Sequence, residues 1–401
     1  MKFIKKILAI MMEKLLMISG FATSLIILLI VIFLFKEGAG LFNSPDVEEG
    51  YVIAVNKENP VSKLSPNDIL NVFDAEIVNW NQVGGPDEDI LVFRLSDLTN
   101  YVSEEELGAD FENIPQCLSK VVAENPGIIA YFPEQYITDD FAGKVLDKGR
   151  ITPAQFFIGK QWYPTSQPSP LYGVLPLLLG TLWVSLGAIL IALPFGLAVA
   201  IYLAELADER LRKILKPVIE LLAGIPSVVF GFFGLVVIVP MIQKTFSLPV
   251  GETGLAGSII LAIMALPTII TVAEDAIRST PRAMKESSLA LGATHWQTIY
   301  RVVIPYSISG ITAAAVLGIG RAIGETMAVL MVTGNAAVMP TTLLEPIRTI
   351  PATIAAELGE APTGGTHYEA LFLLGCILFL LTLIISITVE MISSGKRKQS
   401  I

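Results

Sequence analysis

Arg282-Ala283-Met284-Lys285-Glu286-Ser287-Ser288-Leu289-Ala290-Leu291-Gly292-Ala293-Thr294-His295-Trp296-Gln297-Thr298-Ile299-Tyr300-Arg301-Val302-Val303-Ile304-Pro305 is a polar segment set between two long apolar ones. Ser279-Thr280-Pro281, just before it, supplies a helix cap followed by proline at a first helical position. Gly292 is placed to end that helix in a left-handed conformation. Thr294 and Gln297 have the spacing of a capping box for a second helix, which Pro305 is expected to end or kink. The segment thus reads as two helices joined by a tight Gly292-Ala293 turn. The first exposes Met284, Ser287, Ser288 and Leu291, the kind of small surface on which a partner docks, or else an amphipathic loop lying on a membrane. His295 and Trp296, at the turn, read as packing residues.

Outward from this loop the chain is apolar. Hydrophobic residues make up 53% of the 401 and charged residues only 16%, against about 45–50% and 25% in a soluble protein. A spanning helix needs about 20 mostly apolar residues. Six stretches qualify, near 15–35, 176–204, 218–242, 255–273, 308–332 and 370–392. The first is too long for a signal peptide's apolar core and lacks a convincing cleavage site, so it is expected to stay as an anchor. Pro176, Pro194, Pro226 and Pro267 fall in or at the ends of spans, where they read equally as packing kinks or as breaks around a translocation path.

Charge orients the spans. Outside 36–165, 15 of the 18 basic residues fall at the N-terminus, at Arg210, Arg212, Lys213 and Lys216, at Arg278, Arg282, Lys285 and Arg301, and at Lys396, Arg397 and Lys398. By the positive-inside rule both termini and the 274–305 loop are cytoplasmic. The exceptions are Lys244, Arg321 and Arg348. Residues 36–165 hold 22 acidic and 9 basic residues, a net of -13, while the remainder carries +3. That block is expected to be a separate outward-facing domain. The overall charge of -10 argues against nucleic acid as a partner. Cys117 and Cys376, with His295 and His367, offer no disulfide framework and no histidine-rich metal site; neither a metal nor a cofactor is expected. No phosphate-binding loop for ATP is present.

Within the fifth stretch lies Gly320-Arg321-Ala322-Ile323-Gly324-Glu325-Thr326-Met327-Ala328-Val329. An arginine at mid-membrane is costly and functional by default. Glu325, four residues on, is predicted to share its helix face and to neutralise it while the path is empty. Arginine's planar fork of donors suits an oxyanion such as phosphate. A glutamate beside it accepts a proton-bearing oxygen, which favours protonated phosphate over sulfate. The same pair also reads as a structural tie holding the bundle together. Ala314, Gly318 and Ala322, and Gly320 with Gly324, form small-residue rows for close helix packing.

Glu286-Ser287-Ser288-Leu289-Ala290-Leu291-Gly292, nine residues, then Val302-Val303-Ile304-Pro305 resembles the E-A-A loop of the ABC importer permeases, with serines for the two alanines. The resemblance implies a six-helix polytopic membrane fold whose coupling loop, through Glu286, Ser287, Ser288, Gly292 and Pro305, transmits closure of an ATP-binding subunit. The small-residue rows read as packing at the contact with a second permease. G-R-A-I-G-E-T-M-A-V with Gly334-Asn335, and Leu221-Leu222-Ala223-Gly224-Ile225-Pro226-Ser227-Val228-Val229-Phe230-Gly231, resemble the phosphate-importer branch of that family. This similarity covers 170–395 strongly and 1–40 weakly. It implies a bacterial inner-membrane phosphate importer in which the chain works with a second permease, two ATPase subunits and a phosphate-binding protein. Arg321, Glu325, Thr326 and Ser227 are the residues expected on the substrate path.

The acidic insertion, 44–165, resembles part of the phosphate-binding protein family at Asn59-Pro60-Val61, Trp80-Asn81-Gln82-Val83-Gly84-Gly85, Val92-Phe93-Arg94 and Asn125-Pro126-Gly127-Ile128-Ile129-Ala130-Tyr131. It implies an α/β domain of about one lobe between the first and second spans. The family's S-G-T loop after the arginine is replaced by Leu95-Ser96-Asp97-Leu98-Thr99. Docking of a separate binding protein, capping of the pore, and a vestigial fusion all stand as roles for it. Cys117 reads as a small buried residue. Two other functions weighed for the whole chain are a sulfate or molybdate permease and a membrane sensor; the inside segments are too short for a sensor's output domain.

Overall fold

The computed structural model describes residues 2–108 and 111–397; Lys398, counted among the basic tail, lies outside the described residues. The chain forms two compact units, one of residues 1–35, 175–361 and 371–401 and the other of 36–174 and 362–370. It begins with α1 (Lys2–Ala39). The second unit then runs through β1 (Tyr51–Val55), α2 (Pro66–Phe73), β2 (Leu91–Arg94), α3 (Glu104–Leu107), α4 (Ile114–Glu124), β3 (Ile128–Pro133), β4 (Lys144–Val145), α5 (Pro153–Ile158), β5 (Trp162–Tyr163) and β6 (Leu171–Tyr172).

This unit is a three-layer α/β structure. Its four-stranded sheet has the order β2-β3-β1-β4. β1 is antiparallel to both β3 and β4, and β2 is parallel to β3. Alternate side chains point to opposite faces of a strand, and both faces are covered. Val52, Ala54, Phe93, Ile128, Ala130 and Phe132 pack under Leu118, Val121 and Val122 of α4. Ile53, Val55, Ile129 and Tyr131 pack under Ile69, Val72 and Phe73 of α2. A strand buried on both faces must be apolar throughout, which explains the run Ile128–Phe132. Local chemistry starts the helices: Ser65 with Asp68, and Thr152 with Gln155, form capping boxes, each followed by proline at the first helical position. Trp80 is fully buried and its Nε1 donates to the Gly127 carbonyl at 2.9 Å.

The first unit continues with α6 (Leu175–Ile201), α7 (Glu209–Ala223), α8 (Ser227–Phe233), α9 (Val239–Phe246), α10 (Gly254–Arg278), α11 (Arg282–Ala290), α12 (His295–Thr298), α13 (Ile304–Gly324), α14 (Met327–Val332), α15 (Ile350–Glu357) and α16 (Thr366–Arg397). Among the described residues six helices are long and apolar enough to cross a membrane: Met11–Asn43, Leu175–Leu206, Ser227–Phe246, Gly254–Arg278, His295–Gly324 and Thr366–Val389. The protein is a six-span helical membrane protein with an α/β domain inserted after the first span.

Three boundaries differ from those read in the sequence. Val218–Ala223 is no part of the third span but the end of the separate helix α7, because Gly224 and Pro226 interrupt the helix before Ser227. Pro305 does not end its helix. The chain passes from α12 through a wide π turn, Ile299–Val303, into α13, so Pro305 falls on the first turn of α13, just past the π turn, where its missing N–H is tolerated. The fifth span stops at Gly324 instead of continuing to Val332.

α10 is the hub of the bundle and packs on both α6 and α13. Glycines let the helices approach. A methyl group at Gly196 would come within 2.8 Å of Ile269, and one at Gly310 within 2.3 Å of the Ala276 Cβ. The two small-residue rows of α13 have different fates. Ala314, Gly318 and Ala322 are buried within this chain, with Gly318 against Ile269, which corrects their assignment to a second permease. Gly320 and Gly324 are exposed and have open space beside them.

This contrast is testable. Gly310→Ala must push α10 and α13 apart and should cost about 1–3 kcal/mol, lowering the apparent melting temperature of the detergent-solubilised chain. Gly320→Ala should cause no loss. Equal melting of the two variants would contradict the packing described.

Candidate functional site

The site is built around the end of the fifth span. α13 stops at Gly324, Glu325 is extended (φ -73°, ψ 133°), and α14 starts at Met327. Glu325 is therefore not on the helical face of Arg321, and the predicted pairing is not formed. Arg321 Nη1 donates to Thr268 Oγ1 of α10 at 3.5 Å. Glu325 Oε1 instead accepts from the Ala328 N–H at 3.5 Å, at the start of α14. The carboxylate caps a positive helix end, which is why the chain breaks there without proline. Among the described residues Arg321 has no carboxylate partner, so its guanidinium keeps most of its five donors for another acceptor.

Ser227 opens α8, just after the Gly224–Pro226 interruption. A methyl group at Gly231 of α8 would meet Ala328 and Met331 of α14, and one at Gly234 would meet Val332. The two short helices thus run in the same sense, and their starts, at Ser227 and Met327, lie at one end of their crossing. Two helix starts together favour negative charge. A cavity of about 460 Å³ adjoins the break, lined by Gly324, Thr326, Pro351, Ile354, Leu358 and Leu378 among others. Thr326 is partly exposed there.

The connection between α10 and α13 holds the second group of candidates. Gly292 has φ +86° and closes α11 as expected. Thr294 accepts from Gln297 N–H in a capping box. Ser288 Oγ lies 3.0 Å from Thr298 Oγ1 and ties the two short helices together. Thr280 does not cap α11; its hydroxyl lies 3.1 Å from Ser307 Oγ. Glu286 and Ser287 are exposed, and Leu291 is 90% exposed. Trp296 is 60% exposed, so it does not pack within this chain, contrary to expectation. Lys285 pairs with Glu205 at the end of the second span, at 2.5 Å.

Two ionic groups were not singled out in the sequence. Glu274 is 1% exposed near the end of α10 and faces Arg212 at 2.9 Å, Lys216 at 3.1 Å and Arg278 at 3.7 Å. Burial lowers the Lys216 pKa, but Asp275 and Glu274 more than offset it and hold the ammonium above its ordinary value. The only local signal was the four-residue spacing of Glu274 and Arg278. Arg348 pairs with Glu357 at 2.5 Å across the length of α15, a nine-residue separation that no helical rule anticipates.

In the inserted domain Arg94 lies 5.4 Å from the centre of the Phe73 ring, and its N–H donates to Asp97 Oδ2 at 2.9 Å. The domain's own carboxylate thus occupies the start of the turn that follows β2. Cys117 is buried. Among the described residues no group of three or more histidine, cysteine, aspartate or glutamate side chains is placed to hold a metal ion.

Six apolar helices, with the helix starts at Ser227 and Met327 at one end of their crossing and an arginine near one of them that has no carboxylate partner among the described residues, fit a membrane transport component. The chain belongs to the family of binding-protein-dependent transport system inner membrane components, whose model matches residues 192–398. Residues 34–167 match the model of the PBP superfamily domain. The chain is 40% identical over 247 residues to the probable ABC transporter permease protein YqgH of Bacillus subtilis, covering 62% of this chain and 80% of that one. It is 41% identical over 249 residues to the phosphate transport system permease protein PstC of Mesorhizobium japonicum, covering 57% and 75%. It is 38% identical to PstC of Pasteurella multocida over 57% and 76%.

The left-handed turn can be tested at Gly292, where an added Cβ meets nothing within 4 Å. Only backbone strain opposes substitution, about 1–2 kcal/mol. Thermal melting should rank wild type above Gly292→Asn, which tolerates this conformation, and Asn above Gly292→Ala. An alanine variant as stable as wild type would contradict the turn.

Proposed function

We propose that this chain is the membrane permease subunit of an ATP-driven phosphate importer. The observation that supports it is the 41% identity to a phosphate transport permease, and the geometry of the helix break provides a chemistry for it. Arg321 presents a planar fork whose one hydrogen bond among the described residues is a long one to Thr268. An oxyanion accepts two parallel bonds from such a fork. The Ser227 and Thr326 hydroxyls sit at helix starts, where they add neutral donors. Glu325 caps α14, and its carboxylate accepts a hydrogen bond from the P–OH of a protonated phosphate. Sulfate has no such proton at neutral pH and leaves two negative charges facing each other.

The subunit lies in the bacterial inner membrane with both termini in the cytoplasm. It forms the path with a second permease, against which the open row Gly320 and Gly324 is available for packing. α11, through Glu286, Ser287 and Ser288, docks on an ATPase subunit; Gly292 sets the turn and Pro305 the π turn beyond it. Lys285 and the Glu274 group carry the movement of α11 into the second and fourth spans. A phosphate-binding protein delivers substrate from outside. The inserted domain, 44–165, is a docking or capping element for the mouth of the path, in keeping with its Asp97 carboxylate being already bound to the Arg94 N–H in the turn after β2.

Uptake of labelled phosphate by the reconstituted complex tests this. Arg321→Gln removes a charged hydrogen-bond donor and should reduce uptake about 10- to 100-fold. Glu325→Gln should reduce uptake less and weaken the preference for phosphate over sulfate. If both variants transport like wild type, the site assignment fails. Deletion of 44–165 should lower uptake in the presence of the binding protein, and full uptake would remove its role at the mouth.

A further inference from the structure

Arg348, with Lys244 and Arg321, is one of the three basic residues of the membrane unit that the topology leaves unexplained. It immediately precedes Thr349, the cap of α15, and its side chain runs along that helix to Glu357 at the far end. The two side chains are 17% and 13% exposed. A structural arginine–carboxylate tie is commonly bidentate. Here one bond is made, from Nη2 to Oε1, and Nε is sealed from solvent with no hydrogen-bond partner. A buried donor left unpaired calls for an explanation.

The backbone around it is, by contrast, tied on both sides. Ile347 N–H donates to the Thr333 carbonyl at 2.8 Å. Ile350 N–H donates to Thr181 Oγ1 of α6 at 2.9 Å. Gly180 of α6 lies directly against the Arg348 carbonyl, where any Cβ would come within 2.2 Å. The cation is therefore held in place while its fork is under-used, which is the condition of a preorganised binding group. Pro351, Ile354 and Leu358, along the same helix and its end, wall the cavity beside Gly324 and Thr326, and Glu357 is three residues from Ile354, on an adjoining face of α15.

We propose that Arg348 is a second oxyanion-binding residue on the translocation path, and that the Glu357 carboxylate occupies its fork in the absence of an anion. The proposal rests on the reading of this chain as an oxyanion permease. As Glu357 swings away, Nε and one Nη together become available for two parallel bonds to the anion. The edge of the guanidinium that is orphaned in this state is the one the anion would use. Arg348 and Arg321 then act in sequence on one ion.

The test is phosphate uptake by proteoliposomes carrying the whole complex, with KM and maximal rate measured separately. Arg348→Gln should raise KM at least about tenfold, with Arg348→Lys intermediate. Glu357→Gln, which removes the competing carboxylate, should lower KM. The exchange Arg348→Glu with Glu357→Arg should not restore uptake, because the fork is moved away from its fixed backbone. A purely structural pair gives the opposite pattern: the exchange restores uptake, and Glu357→Gln is as harmful as Arg348→Gln. Either of those results overturns the proposal. Loss of uptake in Arg321→Gln with an unchanged KM in Arg348→Gln overturns this proposal alone. Absence of phosphate uptake by the wild-type complex overturns the functional reading and this proposal with it.

Discussion

In hydrocarbon a backbone amide has no water to bond, and each unpaired N–H or carbonyl costs several kcal/mol. Interruptions of a spanning helix therefore occur where protein groups take over the lost bonds. The break at Glu325 meets this requirement closely. The Leu330 N–H donates to the Thr326 carbonyl at 2.9 Å, the Ala328 N–H is taken by the Glu325 carboxylate, and Thr326 Oγ1 donates to the Gly324 carbonyl at 3.4 Å. At the start of the third span, Gly224 N–H reaches the Leu221 carbonyl and Val229 N–H the Pro226 carbonyl, each at 3.0 Å. The same donors and hydroxyls that repair the backbone are those gathered at the break. The site is thus a product of the constraint and not an addition to it.

The rest of the membrane unit keeps these breaks in register. α10 stands between α6 and α13, and glycine at each close approach removes the side chain that would separate them. Polar groups fasten its ends. Thr253 caps its start, and Glu274 gathers Arg212, Lys216 and Arg278 at its finish. A carboxylate that is 1% exposed is tolerable only because three cations surround it. Since α11 follows α10 after a short turn, and Lys285 of α11 is bound to Glu205, the polar connection is fixed to two spans at once. A rigid connection of this kind can pass a displacement to the bundle.

The inserted domain solves a different problem. Its sheet has helices on both faces and a core on each side, so it is a complete layered structure despite the resemblance to a single lobe. Its acidity is a surface property, compatible with that core. Asp97 bound to the Arg94 amide makes the turn after β2 self-satisfied.

Much of this was legible beforehand, for reasons that can be named residue by residue. Spans are readable because burial in lipid acts on composition, and the acidic block because charge cannot be spread through an apolar bundle. The Gly292 turn and the Thr294 capping box were readable because both act over four residues. The break at Glu325 was not, since G-R-A-I-G-E-T-M-A-V carries no proline and its spacing fits a continuous helix. Nor was the separate helix α7, whose last residues are as apolar as the span that follows. The exposure of Trp296 and the pairing of Arg348 with Glu357 had no local signal. The sequence by itself determined the number of spans, the inserted domain and the Gly292 turn, because solvation and capping are local energies. Tertiary structure alone decided where helices stop and which charges meet, because those depend on what neighbouring atoms stand ready to replace a lost bond.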